Sequence, residues 1–420
     1  MTVLGRHLRL PLLAALLLAL ATPALAQYGR PITEREKEGL WRLGPFRLTP
    51  LLQLRNAGVD TNPFLTSEGG AEETEVVLRG GVKIYVPVGR RFRFRGDGWL
   101  DYTFFSNALE PRKTYPGGDL RAELDISRFT LFAGGGHFYA RQRYTSDIDT
   151  RIERTEGWVN GGVQYQLTRI FGIDFAAEDR RFRYNAETPE DERIKLLLDR
   201  DSLSFQGRFR YNITPLTTLL VTGEILEDTF RYGDPARATT KSYRYLAGFE
   251  FGQKAVITGL FLAGVRDIPA SSAGTVKPYT GPALRGSLVV PLLEQRLRLG
   301  ANFTRDVYYS ASASLAEDQA VRNTYVYGQW QLSLEFDLPL RFIGRVIGGW
   351  QNADYQVPVL LDGVETMRED KAQSYGFSLL RRLGRNARFG VTAMHTTRSS
   401  NIPGLDYSRW RYGLSGEFTP

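Results

Sequence analysis

From Phe92 to Phe104 the chain alternates without a break. Phe92, Phe94, Gly96, Gly98, Leu100, Tyr102 and Phe104 fall on one parity, and Arg93, Arg95, Asp97, Asp101 and Thr103 on the other. A period of two places these sets on opposite faces of an extended chain, whereas a helix would mix them around its circumference. The stretch is therefore a strand with an aromatic face and a charged face. Its backbone edges need partners, and in a membrane the sheet that leaves no edge open is a closed one.

The scheme recurs along the chain. Val76, Leu78, Gly80, Val82, Ile84 and Val86 oppose Glu75, Arg79 and Lys83, and Leu120, Ala122, Leu124 and Ile126 oppose Arg121, Glu123 and Asp125. Leu203, Phe205, Gly207, Phe209 and Tyr211 oppose Ser204, Gln206, Arg208 and Arg210. Tyr243, Tyr245, Ala247, Phe249 and Phe251 oppose Arg244 and Glu250, and Val326 to Phe336 opposes Gln329, Gln331, Ser333 and Glu335. The last strand sets Trp410, Tyr412, Leu414, Gly416 and Phe418 against Arg409, Arg411, Ser415 and Glu417. Runs of about ten residues, apolar outward and polar inward, are the pattern of a transmembrane β-barrel with a wet interior. A soluble sandwich also alternates, but it does not normally load one face with charges and the other with exposed aromatics. The 24 Phe, 21 Tyr, 6 Trp and 43 Gly are used in this way in segment after segment.

The amino terminus has the layout of an export signal. Arg6 and Arg9 precede an apolar run from Leu10 to Ala21, and Ala24-Leu25-Ala26 stands before Gln27. Cleavage after residue 26 is expected, because the run is too short to span a bilayer as a helix. With Arg6 and Arg9 removed, the formal charge falls from +8 to +6. Residues 27–45 are polar and form a periplasmic leader, either flexible or a short helix that plugs the barrel or docks a partner. From residue 46 to 418 no linker or change of composition divides the chain. There is no cysteine, so disulfides, thiolate metal sites and a lipidated cysteine are excluded. The basic residues are interleaved with Asp and Glu along strands, which argues against a nucleic-acid partner.

The links between strands alternate in length. Short ones lie at residues 87–90, 127–128, 168–169, 214–215, 252–254, 291–294, 339 and 384–386, and most carry Gly, Pro, Ser or Thr. Long polar ones lie near 56–73, 106–117, 144–153, 185–199, 231–241, 267–276, 310–321, 356–370 and 399–407. Eight short periplasmic turns and nine long extracellular loops make an all-β, antiparallel barrel of about eighteen strands. Sixteen stays open, because the segments near Val256 to Arg266 and Phe342 to Gln351 are apolar or small on both faces.

A barrel of that size is too wide for its side chains to fill, so an aqueous lumen is expected. Its wall should carry Arg93, Arg95, Arg141, Arg143, Arg208, Arg210, Arg244, Arg298, Arg345, Arg388, Arg409 and Arg411. Asp97, Asp101, Glu123, Asp125, Glu224, Glu250, Glu335 and Glu417 offset them in part. Arginines in a pore concentrate anions, and aromatic or Arg-Asp pairs hold sugar hydroxyls. Alternatively, opposite charges on neighbouring strands simply pair and stiffen the wall.

Two stretches carry a resemblance. Trp410, Tyr412, Leu414 and Phe418 resemble the terminal aromatic signal by which outer-membrane barrels are recognised by the assembly machinery, with Phe418 two residues short of the end. Gly58, Asp60, Asn62 and Phe64, after Pro50-Leu51-Leu52-Gln53-Leu54, resemble the first hairpin and outer turn of the β-barrel porin 2 group of bacterial outer-membrane proteins. Pro63 departs from that pattern. The resemblance implies a barrel in outer-membrane lipid, and some members lie with exopolysaccharide export systems. It thus implies a candidate role as a polysaccharide conduit with a periplasmic partner. Asp60 and Asn62 are expected to cap a tight turn through backbone hydrogen bonds, with ion or sugar binding as the other reading.

Enzymatic barrels mostly need a histidine base. Outside the signal only His137 and His395 are available, and neither stands at a recognised spacing from a serine nucleophile. Both read as wall or interface residues, so no catalytic, cofactor or metal site is expected. The functional expectation is an outer-membrane, porin-like channel for small anionic or sugar-like solutes. A polysaccharide conduit and a closed structural or enzymatic barrel are the alternatives, and oligomeric state is left open.

Overall fold

The computed structural model describes residues 38–418, apart from 64, 68–69, 71, 107–112, 143–151, 233–237, 253–254, 271–275, 294–295, 311–322, 362–363 and 385. Residues 1–37, which hold the expected export signal and most of the expected leader, lie outside the described residues, as do Phe64 and Arg143.

Eighteen antiparallel strands form one closed sheet. The first nine are β1 (Phe46–Asp60), β2 (Glu73–Val88), β3 (Phe92–Phe105), β4 (Lys113–Ile126), β5 (Phe129–Gln142), β6 (Ile152–Gln166), β7 (Phe171–Tyr184), β8 (Arg200–Thr214) and β9 (Thr217–Phe230). The others are β10 (Thr239–Phe251), β11 (Thr258–Ile268), β12 (Tyr279–Leu292), β13 (Leu297–Tyr309), β14 (Thr324–Asp337), β15 (Phe342–Tyr355), β16 (Glu369–Leu383), β17 (Ala387–Ser400) and β18 (Tyr407–Phe418). Each pairs with its sequence neighbours, and β18 returns to β1 through Leu52↔Phe418, Gln53↔Glu417 and Leu54↔Gly416. Closure pairs the edge that the last strand would otherwise leave open.

All eight tight turns fall where the sequence placed them, at one end of the barrel, and the nine longer links fall at the other. Gly89 and Gly384 turn the chain at φ +65° and +74°, where a side chain is strained. The two segments with weak alternation are both strands, β11 and β15, which settles the count at eighteen rather than sixteen.

Several boundaries differ from expectation. β1 runs past Arg55 to Asp60, because a bulge at Arg55 and Asn56 resets its register. Gly58 and Asp60 are therefore strand residues, and the turn begins after them. A strand at Trp41–Leu43 doubles back on Phe46–Leu48. The link at 185–199 folds into helix α1 (Pro189–Leu198), started by a capping box between Thr188 and Asp191 with Pro189 in the first turn. The link after β15 holds a small hairpin, Val359–Leu361 with Val364–Thr366.

The two faces of the sheet differ in kind. On one lie Leu100, Leu120, Val159, Phe175, Phe205, Tyr245 and Trp330, each more than half exposed. On the other, ion pairs join neighbouring strands and also strands that are not neighbours. Arg244 on β10 reaches Asp306 on β13, and Tyr309 Oη donates to Asp228 on β9 at 3.0 Å. Three strand steps span about 14 Å along a sheet, so contacts of this kind cross the concave side. The charged face is the inner one.

Candidate functional site

The concave face is built pair by pair. Where β1 meets β18, the bulge turns both Arg55 and Asn56 inward: Arg55 lies 3.7 Å from Asp101, and Asn56 Nδ2 donates to Glu75 at 3.3 Å. A Cβ on Gly58 would sit 2.0 Å from the Tyr412 carbonyl oxygen, so only glycine lets the two strands close here. Asp60 is fully buried. Its Oδ1 accepts from Arg409 Nε at 2.9 Å and from the Asn62 N–H at 3.1 Å, and its Oδ2 accepts from Arg409 Nη2. Arg411 Nε faces Glu75 at 2.9 Å. Asn62 holds the turn, exchanging bonds of 3.0 and 2.8 Å with the Thr66 backbone and donating to the Ser408 carbonyl at 3.2 Å. Asp60 thus bonds the backbone of the turn and also anchors the last strand.

On β2 to β8 the acids act as hubs. Arg79 grips Asp101 with two bonds of 2.6 and 2.5 Å. Glu123 gathers Arg93, Arg95 and Arg121 at 2.6, 3.1 and 2.7 Å, and Arg93 also reaches Asp125 at 2.5 Å. Asp97 shares this face. Arg180 bridges Glu156 and Glu178, and Arg210 meets Asp174 at 2.8 Å. Further round, Arg298 pairs with Glu335 at 2.5 Å, Arg345 stands 4.0 Å from Glu335, and Arg388 pairs with Glu417 at 2.6 Å.

Between β8 and β12 the wall changes character. Leu220, Leu246, Leu260 and Leu262 form an apolar patch on the inner face, beneath Arg208, Arg244 and Arg285. Together with Gln206, Thr222, Glu224 and Glu250 they line a shallow recess that opens to the lumen. Arg244 is tied to Glu224 and Asp306. Tyr308, Tyr325, Tyr327 and Tyr355 cluster beside this region, two pairs stacked and two edge-to-face, with ring centres 5.2 to 6.4 Å apart.

The long-loop end is narrowed by α1. Ile194 and Leu198 pack with Ile152, Phe182 and Tyr184, and Tyr309 closes over them. Arg200 lies 4.0 Å over the Phe182 ring, 3.4 Å from Asp228 and 5.4 Å over the Tyr309 ring, so side chains of β7 to β9 meet one from β13 at the mouth. Asp199, which follows the helix, accepts the Tyr184 N–H at 2.7 Å; burial pushes its carboxyl up against the pull of that bond.

Eleven of the twelve arginines expected on the lumen wall are described, and ten of those stand on the concave face. Arg141 differs. It is in phase with Leu131 and His137, lies beyond Gly117↔Phe138, the last pair joining β4 to β5, and donates to Glu187 before α1 at 3.1 Å. It is a rim residue, because face is set by strand parity and not by residue type. The sequence reading missed Asp306, Arg285, Asp370 with its partners Arg368 and Arg398, and the leucine patch. Asp306 was findable, since it continues the parity of Arg298 on β13. Trp410, Tyr412, Leu414 and Phe418 line the convex face of β18, each nearly half exposed. His395 sits there too, between the Tyr375 and Trp410 rings, with Nε2 3.0 Å from Ser408 Oγ and Nδ1 without a partner. A serine–histidine contact without a group to orient the ring lacks the third member of a hydrolytic triad. Among the described residues no cluster could hold a metal ion.

No protein-family model matches the chain, and no curated protein does. Among solved structures, it is similar to OpdK of Pseudomonas aeruginosa with vanillate, at 12% identity and TM-score 0.48, covering 89% of this chain and 99% of that one. OccAB3 of Acinetobacter baumannii gives 11% and 0.47, with the same coverage. The FrpB iron transporter of Neisseria meningitidis gives 10% and 0.48, covering 87% of this chain and 63% of that one. At these identities and TM-scores nothing about solutes follows.

Proposed function

We propose that this chain forms an outer-membrane channel whose polar, arginine-rich lumen passes small anionic or sugar-like solutes and favours anions. The carrying observation is the two-sidedness of a closed sheet. A belt of exposed aromatic and aliphatic side chains surrounds the convex face, and ion-paired arginines cover the concave one. In water such a belt is a standing liability, whereas in hydrocarbon it is the matched surface. Eighteen strands enclose more space than wall side chains fill. In this reading residues 1–26 are the export signal, 27–45 the periplasmic leader, and the terminal aromatics the assembly signal.

Single-channel current in a planar bilayer under a salt gradient tests it. Steady conductance with a reversal potential of anion sign is expected. A silent barrel would sink free diffusion as the function. Current that appears only after deletion of residues 27–45 would instead support a partner-gated conduit, as for an exported polysaccharide.

A further inference from the structure

The geometry points to the recess between β8 and β12 as a binding site for an organic monoanion, a carboxylate carried on a short aliphatic body. This rests on the reading of the concave face as open to solutes. The local charges are Arg208, Arg210, Arg244, Arg266 and Arg285 against Asp174, Glu224, Glu250 and Asp306. Five cations face four anions, and the pairs assign most of them: Arg210 to Asp174, and Arg244 to Glu224 and Asp306, with Arg266 4.0 Å from Asp306. Arg285 has no ion pair or hydrogen bond among the described residues, although it lines the recess beside Arg208 and Arg244. A half-buried guanidinium that makes no ion pair, beside the like charge of Arg244 and with Glu224 only at longer range, gains when an anion completes it.

What adjoins Arg285 fixes the rest of the ligand. Its register partner across β11–β12 is Leu262, and Leu262 belongs to the patch with Leu220, Leu246 and Leu260. A bare inorganic anion would use the arginine and leave the leucines unemployed. A hydrocarbon tail gains by covering them, at up to about 0.8 kcal/mol for each methylene removed from water. The recess is aliphatic rather than aromatic, so a compact aliphatic chain fits its chemistry.

Isothermal titration calorimetry on the folded, detergent-solubilised barrel tests this without requiring any current. Hexanoate should bind saturably, acetate at least tenfold more weakly, and hexylammonium not at all. Arg285→Gln should weaken hexanoate at least tenfold, while Arg285→Lys keeps most of the affinity. Leu262→Asn should erase the preference for hexanoate over acetate. Equal affinity for acetate and hexanoate, or hexanoate binding unchanged in Arg285→Gln, would overturn the site. Heat-modifiable gel migration shows that each variant is folded, and Arg285→Lys guards against a loss of binding that is only structural. An anion-conducting barrel that ignores hexanoate would sink this site and leave the channel standing. A silent barrel that binds hexanoate would do the reverse.

Discussion

The seam where β1 meets β18 and the wall from β8 to β12 are made of the same residue types and do different work. At the seam Asp60 and Arg409 are buried against each other in a two-pronged contact, and Arg411 stands against Glu75. On the β8–β12 wall Arg285 is left over, and leucines replace polar groups beneath it. A buried pair is worth little when weighed against an apolar substitute but is expensive to break, because the survivor keeps its charge without its partner. The seam arginines are thus closure devices, whereas Arg285, with no ion pair among the described residues, is the one proposed to meet a solute.

The sharpest way to break the comparison is to strand the seam. Asp60→Ala leaves Arg409 buried and unpaired, and unfolding by urea in detergent should show a loss of about 3–5 kcal/mol. Replacing both partners, as Asp60→Ala with Arg409→Met, should restore most of it. If the single and double variants lose the same amount, the pair is not what closes the barrel.

The mouth should respond next. Leu198→Ala opens a void under α1 and should cost about 2–3 kcal/mol of helix docking, seen as faster hydrogen exchange in residues 189–198 with the strands unchanged. The same readout carries a pH dependence. Because burial raises the Asp199 carboxyl, the docked loop holds that proton more tightly than the undocked one. Docking is fully supported below the ordinary carboxylate range and weakens as pH rises through the raised value. Protection of α1, taken as exchange relative to the unstructured chain at the same pH, should therefore be greater at about pH 4 than at about pH 7.

These contrasts mark what was legible in the chain. Strand number and turn positions were, because a period of two survives wherever one face is apolar and the other charged, and Gly or Pro punctuates the turns. Even β11 and β15, with weak alternation, were located by the short links around them. The Asp60–Arg409 contact was not legible, since 349 positions separate its partners and the bulge at Arg55 and Asn56 shifts the register between them. Helix α1 was written in Thr188, Pro189 and Asp191, but the charges that follow read as a solvated loop until Ile194 and Leu198 meet β6 and β7. Arg285 stood out by no local pattern. Its significance lies in a missing partner, and a missing partner is a property of the assembled wall.

Stability should separate the two regions with opposite signs at a smaller scale. Arg285→Gln breaks no ion pair and removes a charge that Arg244 repels, so it should leave the barrel as stable as before or more so, by up to about 1 kcal/mol. A loss comparable to that of Asp60→Ala would place Arg285 among the closure devices.

The smallest effect belongs to Arg141. On residue type alone it counts with the lumen arginines, but its strand parity and its bond to Glu187 put it at the rim, where Glu187 is itself well exposed. An exposed pair of this kind contributes under about 1 kcal/mol and is screened by salt. Arg141→Ala should leave both unfolding and the reversal potential unchanged, while Glu123→Gln, which releases Arg93, Arg95 and Arg121 from a shared carboxylate, shifts the potential further toward anions. If Arg141→Ala moved the potential as far as Glu123→Gln, placement on the concave face would not be what decides which arginines a solute feels.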